Sequence, residues 1–392
     1  MLQRVAARCP NVQSPRRFDG RCDARLQRAL HRLVRNRSRR LSGAKARHRS
    51  QPTSLGDRRY RSFMTDESLV SVATESLVAP TARFSAWSSA WSRSQFGEGG
   101  FYRTHRAEQE FTTSVHVDRQ LAQVLATRIE NERHRSSGRD FAVIDMGAGD
   151  GALLRQLHNL LPSGITYVGV DMREPPQQLT NDVTWIQRTI DESTTDITGR
   201  DGEWTGVLIA HEFLDDIPCE VVELDQSLTP HAVLVDPITG AEEIGPGLDD
   251  PAASRFIDDP TGSLAWLERW WPATRPLARR EIGLSRDRVW RRLRHVLARG
   301  TAIAIDYSHT EADRRRGVWD GGTLQGFARG RPRRPIPDGS MNITSHVALD
   351  ACAGGADGAG ELLTQSSVLT GLAGFPGSFG SHGWLIDPVV QR

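Results

Sequence analysis

The chain has 392 residues, 38% apolar and 25% charged, enough for a real core; no apolar run reaches the roughly 18 residues of a membrane helix. Four cysteines, Cys9, Cys22, Cys219 and Cys352, lack C-x-x-C spacing, which argues against a metal site or disulfide framework and leaves a reducing, cytoplasmic setting as the default. The net charge of +2 averages two unlike parts: residues 1–63 carry seventeen arginines and one lysine against three aspartates, so the head is near +15 and the remainder near −13.

Such a head reads as a disordered extension or a misassigned start, with Met64 opening more ordinary sequence, or else as a mitochondrial transit segment or a basic arm for nucleic acid. The body offers no such basic surface, and no nucleic-acid contact is expected of it. Residues 64–138 form an N-terminal cap segment. Within it Gly97, Gly99 and Gly100 make a loop, Phe101 and Tyr102 are read as packing aromatics, and Val117, Leu121, Val124, Leu125 and Ile129 predict a helix over 117–132. A polar linker, 134–138, leads into a domain covering 139–392.

That domain opens on FAVIDMGAGDGA, 141–152. A short apolar run ends at Asp145, Gly147, Gly149 and Gly151 alternate, and a helix follows, which is the strand, glycine turn and helix start of a nucleotide-type cofactor site. Leu153, Leu154, Leu157, Leu160 and Leu161 mark that helix. Residues 165–170 predict a second strand ending at Asp171, 183–186 a third, and 206–210 a fourth that runs into His211. Strands alternating with helices at this spacing predict a parallel, doubly wound sheet. Residues 221–224 and 232–235 predict an inserted strand pair, and 240–262 a surface loop. Helices are expected over 263–271 and 286–298, with Arg288, Arg291, Arg292 and Arg294 as a solvated face and Gly300 as a stop. A fifth strand, 301–305, ends at Asp306. Residues 308–340 read as irregular, 345–352 as a short helix and 353–360 as low complexity. The ending to Arg392 shows no clear strand, so the fold's last hairpin is expected to be degraded or absent.

Three strands thus end in an acid: Asp145, Asp171 and Asp306. Asp171 lies 24 positions after Gly147, where a carboxylate can accept both vicinal hydroxyls of a ribose. Asp145 at the mouth of the glycine turn disfavours a pyrophosphate and favours a cationic cofactor such as S-adenosylmethionine. Simple helix capping by Asp145 is the plain alternative, and G-A-G-D-G-A also fits a dinucleotide loop. After the fourth strand, Glu212, Asp215 and Asp216 cluster. Two carboxylates there can clamp a guanidinium, or the segment is an acidic turn capping the next helix.

Six blocks then occur in a familiar order. FGEGGFYR (96–103) with EFTTS (110–114), DMGAGDGALL (145–154), IAHEFLDDIP (209–218), IDYSH (305–309), GGTLQGF (321–327) and NITSHVALD (342–350) resemble the MidA-like family of class I S-adenosylmethionine-dependent methyltransferases over about 95–370. Mitochondrial relatives in that family methylate an arginine of a complex I subunit during assembly. The resemblance implies a Rossmann-like methyltransferase sheet with an N-terminal helical segment and irregular or inserted C-terminal segments. It implies S-adenosylmethionine as cofactor, with Asp145, Gly147, Ala148 and Gly149 at its methionine part, Asp171 at its ribose and 188–191, including Ile190 and Asp191, framing the adenine. Thr113 and Ser114 would close over it, with His211 alongside, and Glu212 and Asp215 would orient a protein arginine, in a respiratory-complex subunit by analogy. Four positions depart from the family pattern: His211 stands for Asn, Asp216 for Ala, Ser308 for Gly and Asn342 for Asp. They keep open a non-catalytic assembly factor on the same fold. A nicotinamide-dependent oxidoreductase is the third reading.

Overall fold

A computed structural model describes residues 83–106, 110, 113–117, 119–136, 140–355, 360–369 and 382–390. The basic head and the start of the segment from Met64 lie outside the described residues. Strand β1 (Ser85–Ala86) leads into helices α1 (Trp87–Phe96) and α2 (Phe101–Thr104). Helices α3 (Ser114–Val117) and α4 (Gln120–Arg135) precede β2 (Phe141–Met146), α5 (Ala152–Leu160), β3 (Thr166–Asp171), β4 (Val183–Gln187) and β5 (Trp204–His211). There follow β6 (Glu220–Leu224), β7 (Pro230–Val235), β8 (Glu242–Gly247), α6 (Pro260–Trp270), β9 (Arg279–Ile282), α7 (Leu284–His295) and β10 (Leu297–Tyr307). The chain continues through α8 (Glu311–Arg315), β11 (Gln325–Ala328), β12 (Arg331–Arg333), β13 (Asn342–Thr344), α9 (Leu349–Gly354), β14 (Glu361–Thr364), α10 (Gln365–Val368) and β15 (His382–Val390).

The central sheet runs β14-β15-β10-β5-β2-β3-β4, with its five inner and far strands parallel and β14 and β15 antiparallel. Every residue of β2 is buried, as a strand covered on both faces requires. Phe141 and Val143 face one layer with Leu121, Leu125, Ile129, Leu153 and Leu157 of α4 and α5. Ala142, Ile144 and Met146 face the other, with Val289, Trp290, Leu293 and Cys352 of α7 and α9. The period-2 alternation of the strand thus meets one helical stripe on each side, giving the doubly wound, Rossmann-like α/β sheet. Burial of Leu153, Leu154 and Leu157 alone holds α5 to the sheet by on the order of 5 kcal/mol.

The inserted pair β6 and β7 belongs to a second sheet, β1-β7-β6-β9, to which β8 adds by pairing with β7. The expected loop over 240–262 therefore contains a strand, a 3₁₀ turn (Pro251–Arg255) and the start of α6, where Asp259 accepts the Gly262 N–H at 2.8 Å and Pro260 begins the helix. Likewise 308–340 is not irregular throughout: it supplies α8, opened by a capping box between Thr310 and Asp313, and two strands of a small sheet ordered β12-β11-β13.

Two further expectations are corrected. Gly300 does not stop a helix; α7 ends at His295 and Gly300 lies inside β10, beside Gly206 of β5. A Cβ on Gly300, at φ +139°, would stand 1.8 Å from the Gly206 carbonyl oxygen, so close backbone approach is what demands glycine there. The final hairpin is present: β15 pairs with β10 over nine positions and with β14 over four. Nor is the α7 arginine face simply solvated, since Arg288 pairs with Glu192 and Asp259, and Arg294 with buried Asp387 at 2.8 Å.

Candidate active site

Strands β2, β3 and β4 progress to one side of β2, and the chain then returns to place β5 on the other. Ligands of such sheets bind outside the carboxyl ends at this reversal. A cavity of about 1060 Å³, counting the space at its open mouth, lies there, walled by the β2 glycine turn, the end of β3, the segment after β4 and the turn after β5.

The glycine turn is pinned from below. Gly147 and Ala148 N–H groups both donate to the Val170 carbonyl, at 2.9 and 3.1 Å. Gly147 has φ +69°, and a Cβ on it would come within 2.6 Å of the Phe213 ring, so the glycine is what lets the β5 turn close against the β2 turn. The Gly149 N–H donates to Asp171 Oδ2 at 2.8 Å, and the Arg173 N–H to Asp171 Oδ1 at 2.9 Å. Asp171 therefore organises the turn while lining the cavity. Asp145 is buried in the same wall; burial pushes its carboxyl up to about 7, with His211 opposing and Asp171 and Asp150 adding to the rise. Asp145 does not cap α5: the N-cap is Gly151, without a side-chain cap, and Asp150 Oδ1 accepts the Ala152 N–H at 2.9 Å.

Ile190 lines the cavity with Arg188 and Thr189, whereas Asp191 points away and closes a turn with Ser193 and Thr194. Thr113 lines the cavity and shares a hydrogen bond with His116 at 2.8 Å. Ser114 sits behind the wall: its N–H donates to Glu212 Oε1 at 2.8 Å, and its hydroxyl meets His211 Nε2 at 2.7 Å. Glu212 takes φ +48°, a left-handed backbone that costs on the order of 1 kcal/mol outside glycine and that recurs at functional sites. Burial opposes ionisation of Glu212, yet His211, His382 and the Ser114 N–H together hold its carboxyl down to about 2. The hairpin strand β15 thus contributes to the site through His382, 3.8 Å from Glu212 Oε1.

Asp215, expected to orient the acceptor, does not line the cavity, whereas its neighbour Asp216 does. Asp215 is buried outside the cavity lining; its N–H and that of Leu214 donate to Asp306 Oδ2 at 3.1 and 2.9 Å. Asp216 is the cavity acid, and its carboxylate accepts the Tyr102 hydroxyl. Two residues escaped the sequence reading. Tyr102 lines the cavity rather than merely packing. Arg286, fully buried, donates to the carbonyls of Asp215, Ile217, Ser345 and His346 and so braces the whole β5 turn. Its signal was positional: it lies three and seven residues before Val289 and Leu293, on the apolar stripe of α7.

A glycine turn at the switch point, carboxylates ending the two strands beside it and an acidic turn facing it define a class I methyltransferase site. The residues fit a cation with a ribose: Asp145 and Asp171 offer carboxylates at the cavity wall, and Gly147 and Gly149 present no Cβ there. A sequence family described as "Putative S-adenosyl-L-methionine-dependent methyltransferase" matches residues 120–362, and the chain belongs to that family. Its cofactor is S-adenosylmethionine. A COG1565 superfamily member from Burkholderia thailandensis, solved bound to S-adenosyl-homocysteine, shares 18% identity and the fold, with TM-score 0.61 over 80% of this chain and 89% of that one. A native crystal structure of a COG1565 superfamily protein from the same organism gives TM-score 0.60 at the same identity and coverage. Comparison with curated proteins finds no match. Among the described residues no helix is long and apolar enough to cross a membrane.

Proposed function

We propose that this methyltransferase acts on the guanidinium of an arginine in a protein substrate. The observation that carries this reading is the turn after β5, which lines the cofactor cavity with the carboxylates of Glu212 and Asp216 against the glycine turn. A guanidinium stays protonated at working pH, so it needs anionic, directional acceptors, and Glu212 remains ionised throughout that range. When bound, the cofactor supplies a methyl group already activated on a sulfonium, and the protein's part is alignment and exclusion of water. Asp145 faces the cofactor's ammonium in this reading, Asp171 its ribose and Ile190 its adenine.

The test is methyl-labelled S-adenosylmethionine incubated with the protein and a cell extract, followed by hydrolysis and amino-acid analysis. Labelled methylarginine is expected. Label on lysine, on a carboxyl group or on no protein overturns the reading, the last outcome favouring the assembly-factor alternative.

The Asp145 assignment has its own consequence. A carboxyl that titrates near 7 must lose its proton to hold an ammonium. Affinity for S-adenosyl-homocysteine is therefore expected to rise with pH below that value, by up to about tenfold per unit, and to level off above it. Calorimetric titrations from about pH 5.5 to 7.5 check this, and Asp145→Asn should flatten the slope. An unchanged slope in that variant removes Asp145 from the ammonium site.

A further inference from the structure

We infer that Asp216, held by Tyr102, is the second carboxylate of the acceptor site and, with Glu212, selects a planar cationic group. This rests on the guanidinium reading above. Asp216 lines the cavity and Asp215 does not. The Tyr102 hydroxyl donates to Asp216 Oδ2 and lies 3.4 Å from Asn342 Oδ1. Tyr102 is itself clamped, stacked on Phe96 at 5.7 Å and edge-on to Phe101 at 5.3 Å. One oxygen of Asp216 is thereby fixed, and the other, Oδ1, is buried without a hydrogen-bond partner among the described residues. A buried carboxylate oxygen left unsatisfied beside a ligand cavity is costly unless a donor reaches it.

Glu212 is fixed by a separate donor, its Oε1 accepting the Ser114 N–H. Two carboxylates, each oriented by its own hydrogen-bond donor, suit a rigid fork of N–H donors better than the single rotating ammonium of a lysine. The electrostatic surroundings agree. Burial pushes the Asp216 carboxyl up to about 7 despite Tyr102, Asn342 and Arg286, while Glu212 adds to the rise. Asp215 and Asp306 crowd the same turn with further acidity. An entering cation relieves that crowding. Tyr102 acts through Asp216 and is a positioning residue.

The experiment uses the full chain saturated with S-adenosyl-homocysteine and two probes, acetyl-arginine amide and its neutral isostere acetyl-citrulline amide, followed by saturation-transfer NMR. The wild type should prefer the arginine probe by about tenfold or more, the worth of one charge-assisted hydrogen bond. Asp216→Asn should cut that preference to about twofold while S-adenosyl-homocysteine affinity stays within about threefold. Tyr102→Phe removes a donor that favours the ionised acid, so the pH midpoint of arginine-probe binding should move upward; this variant carries the test if Asp216→Asn does not fold. A preserved arginine preference in Asp216→Asn, or an unmoved midpoint in Tyr102→Phe, overturns the assignment and leaves the guanidinium reading standing. No preference for arginine over citrulline in the wild type overturns both.

Discussion

Asp171→Ala is expected to weaken S-adenosylmethionine binding by about 30- to 100-fold, equivalent to ~2–3 kcal/mol, with the sheet intact. The carboxylate has two tasks. It accepts the Gly149 N–H at 2.8 Å and the Arg173 N–H at 2.9 Å, fixing the glycine turn relative to the end of β3. It also takes the Arg173 Nε–H at 3.2 Å and lines the cavity, where it would offer acceptor capacity to the ribose hydroxyls. Alanine removes both, leaving the Gly149 N–H to water and the turn free to shift. Asp171→Asn separates the tasks: an amide oxygen can keep one N–H partner but offers weaker acceptors to the hydroxyls, so an intermediate loss of about tenfold is expected. Calorimetric titration with S-adenosyl-homocysteine measures both variants. Binding of Asp171→Ala within threefold of the wild type would falsify the ribose assignment.

How much of this was legible beforehand follows from what each pattern encodes. The 24-residue step from Gly147 to Asp171 spans the glycine turn, one helix, a connecting loop and one strand, so spacing alone brought the acid to the turn. Strands β2, β3 and β5, buried on both faces, showed as plain apolar runs. Strand β8, read as EEIGPG, did not: it is a margin strand held by backbone pairing to β7, and its glycines and proline mimic a loop. Strand β15 was hidden by Asp387 and Pro388. Asp387 is buried because Arg294 neutralises it, and Pro388 is tolerated because it lies beyond the reach of β14, whose pairing with β15 stops at Ile386. Within the site, the turn 209–218 was recognisable, but which of two adjacent acids faces the cavity depends on contacts 91 and 114 residues away, to Asp306 and Tyr102. Two of the four departures from the family pattern, Asp216 and Asn342, converge on the Tyr102 hydroxyl, a relation that no local motif encodes.

Glu212→Gln should leave S-adenosylmethionine affinity within about threefold and lower methyl transfer by roughly 10²–10³-fold, the range expected when a preorganised electrostatic partner is lost. Glutamine preserves the volume, leaves the positive-φ backbone to the same surroundings and can still accept the Ser114 N–H through its amide oxygen. What it removes is the negative charge beside the acceptor, together with the ion-paired contact to His211 at 3.3 Å. Single-turnover transfer and cofactor titration on the same preparation separate the two effects. A variant that transfers normally would show that the acceptor is held elsewhere. The pH profile adds a constraint that does not depend on mutation. Burial opposes Glu212's charge, but His211 and the Ser114 N–H outweigh it and keep the carboxyl ionised down to about 2. Asp145 and Asp216, by contrast, are pushed up to about 7 by burial. Activity lost on acidifying from 8 towards 6 therefore traces to the cofactor's ammonium partner or to the Tyr102-held acid, and Glu212→Gln should lower the whole profile while keeping that limb, displaced towards lower pH where Asp216 sets it, because Glu212 raises the Asp216 carboxyl. A limb that disappears in Glu212→Gln would place the titrating group on Glu212 itself and reverse the roles of the two carboxylates.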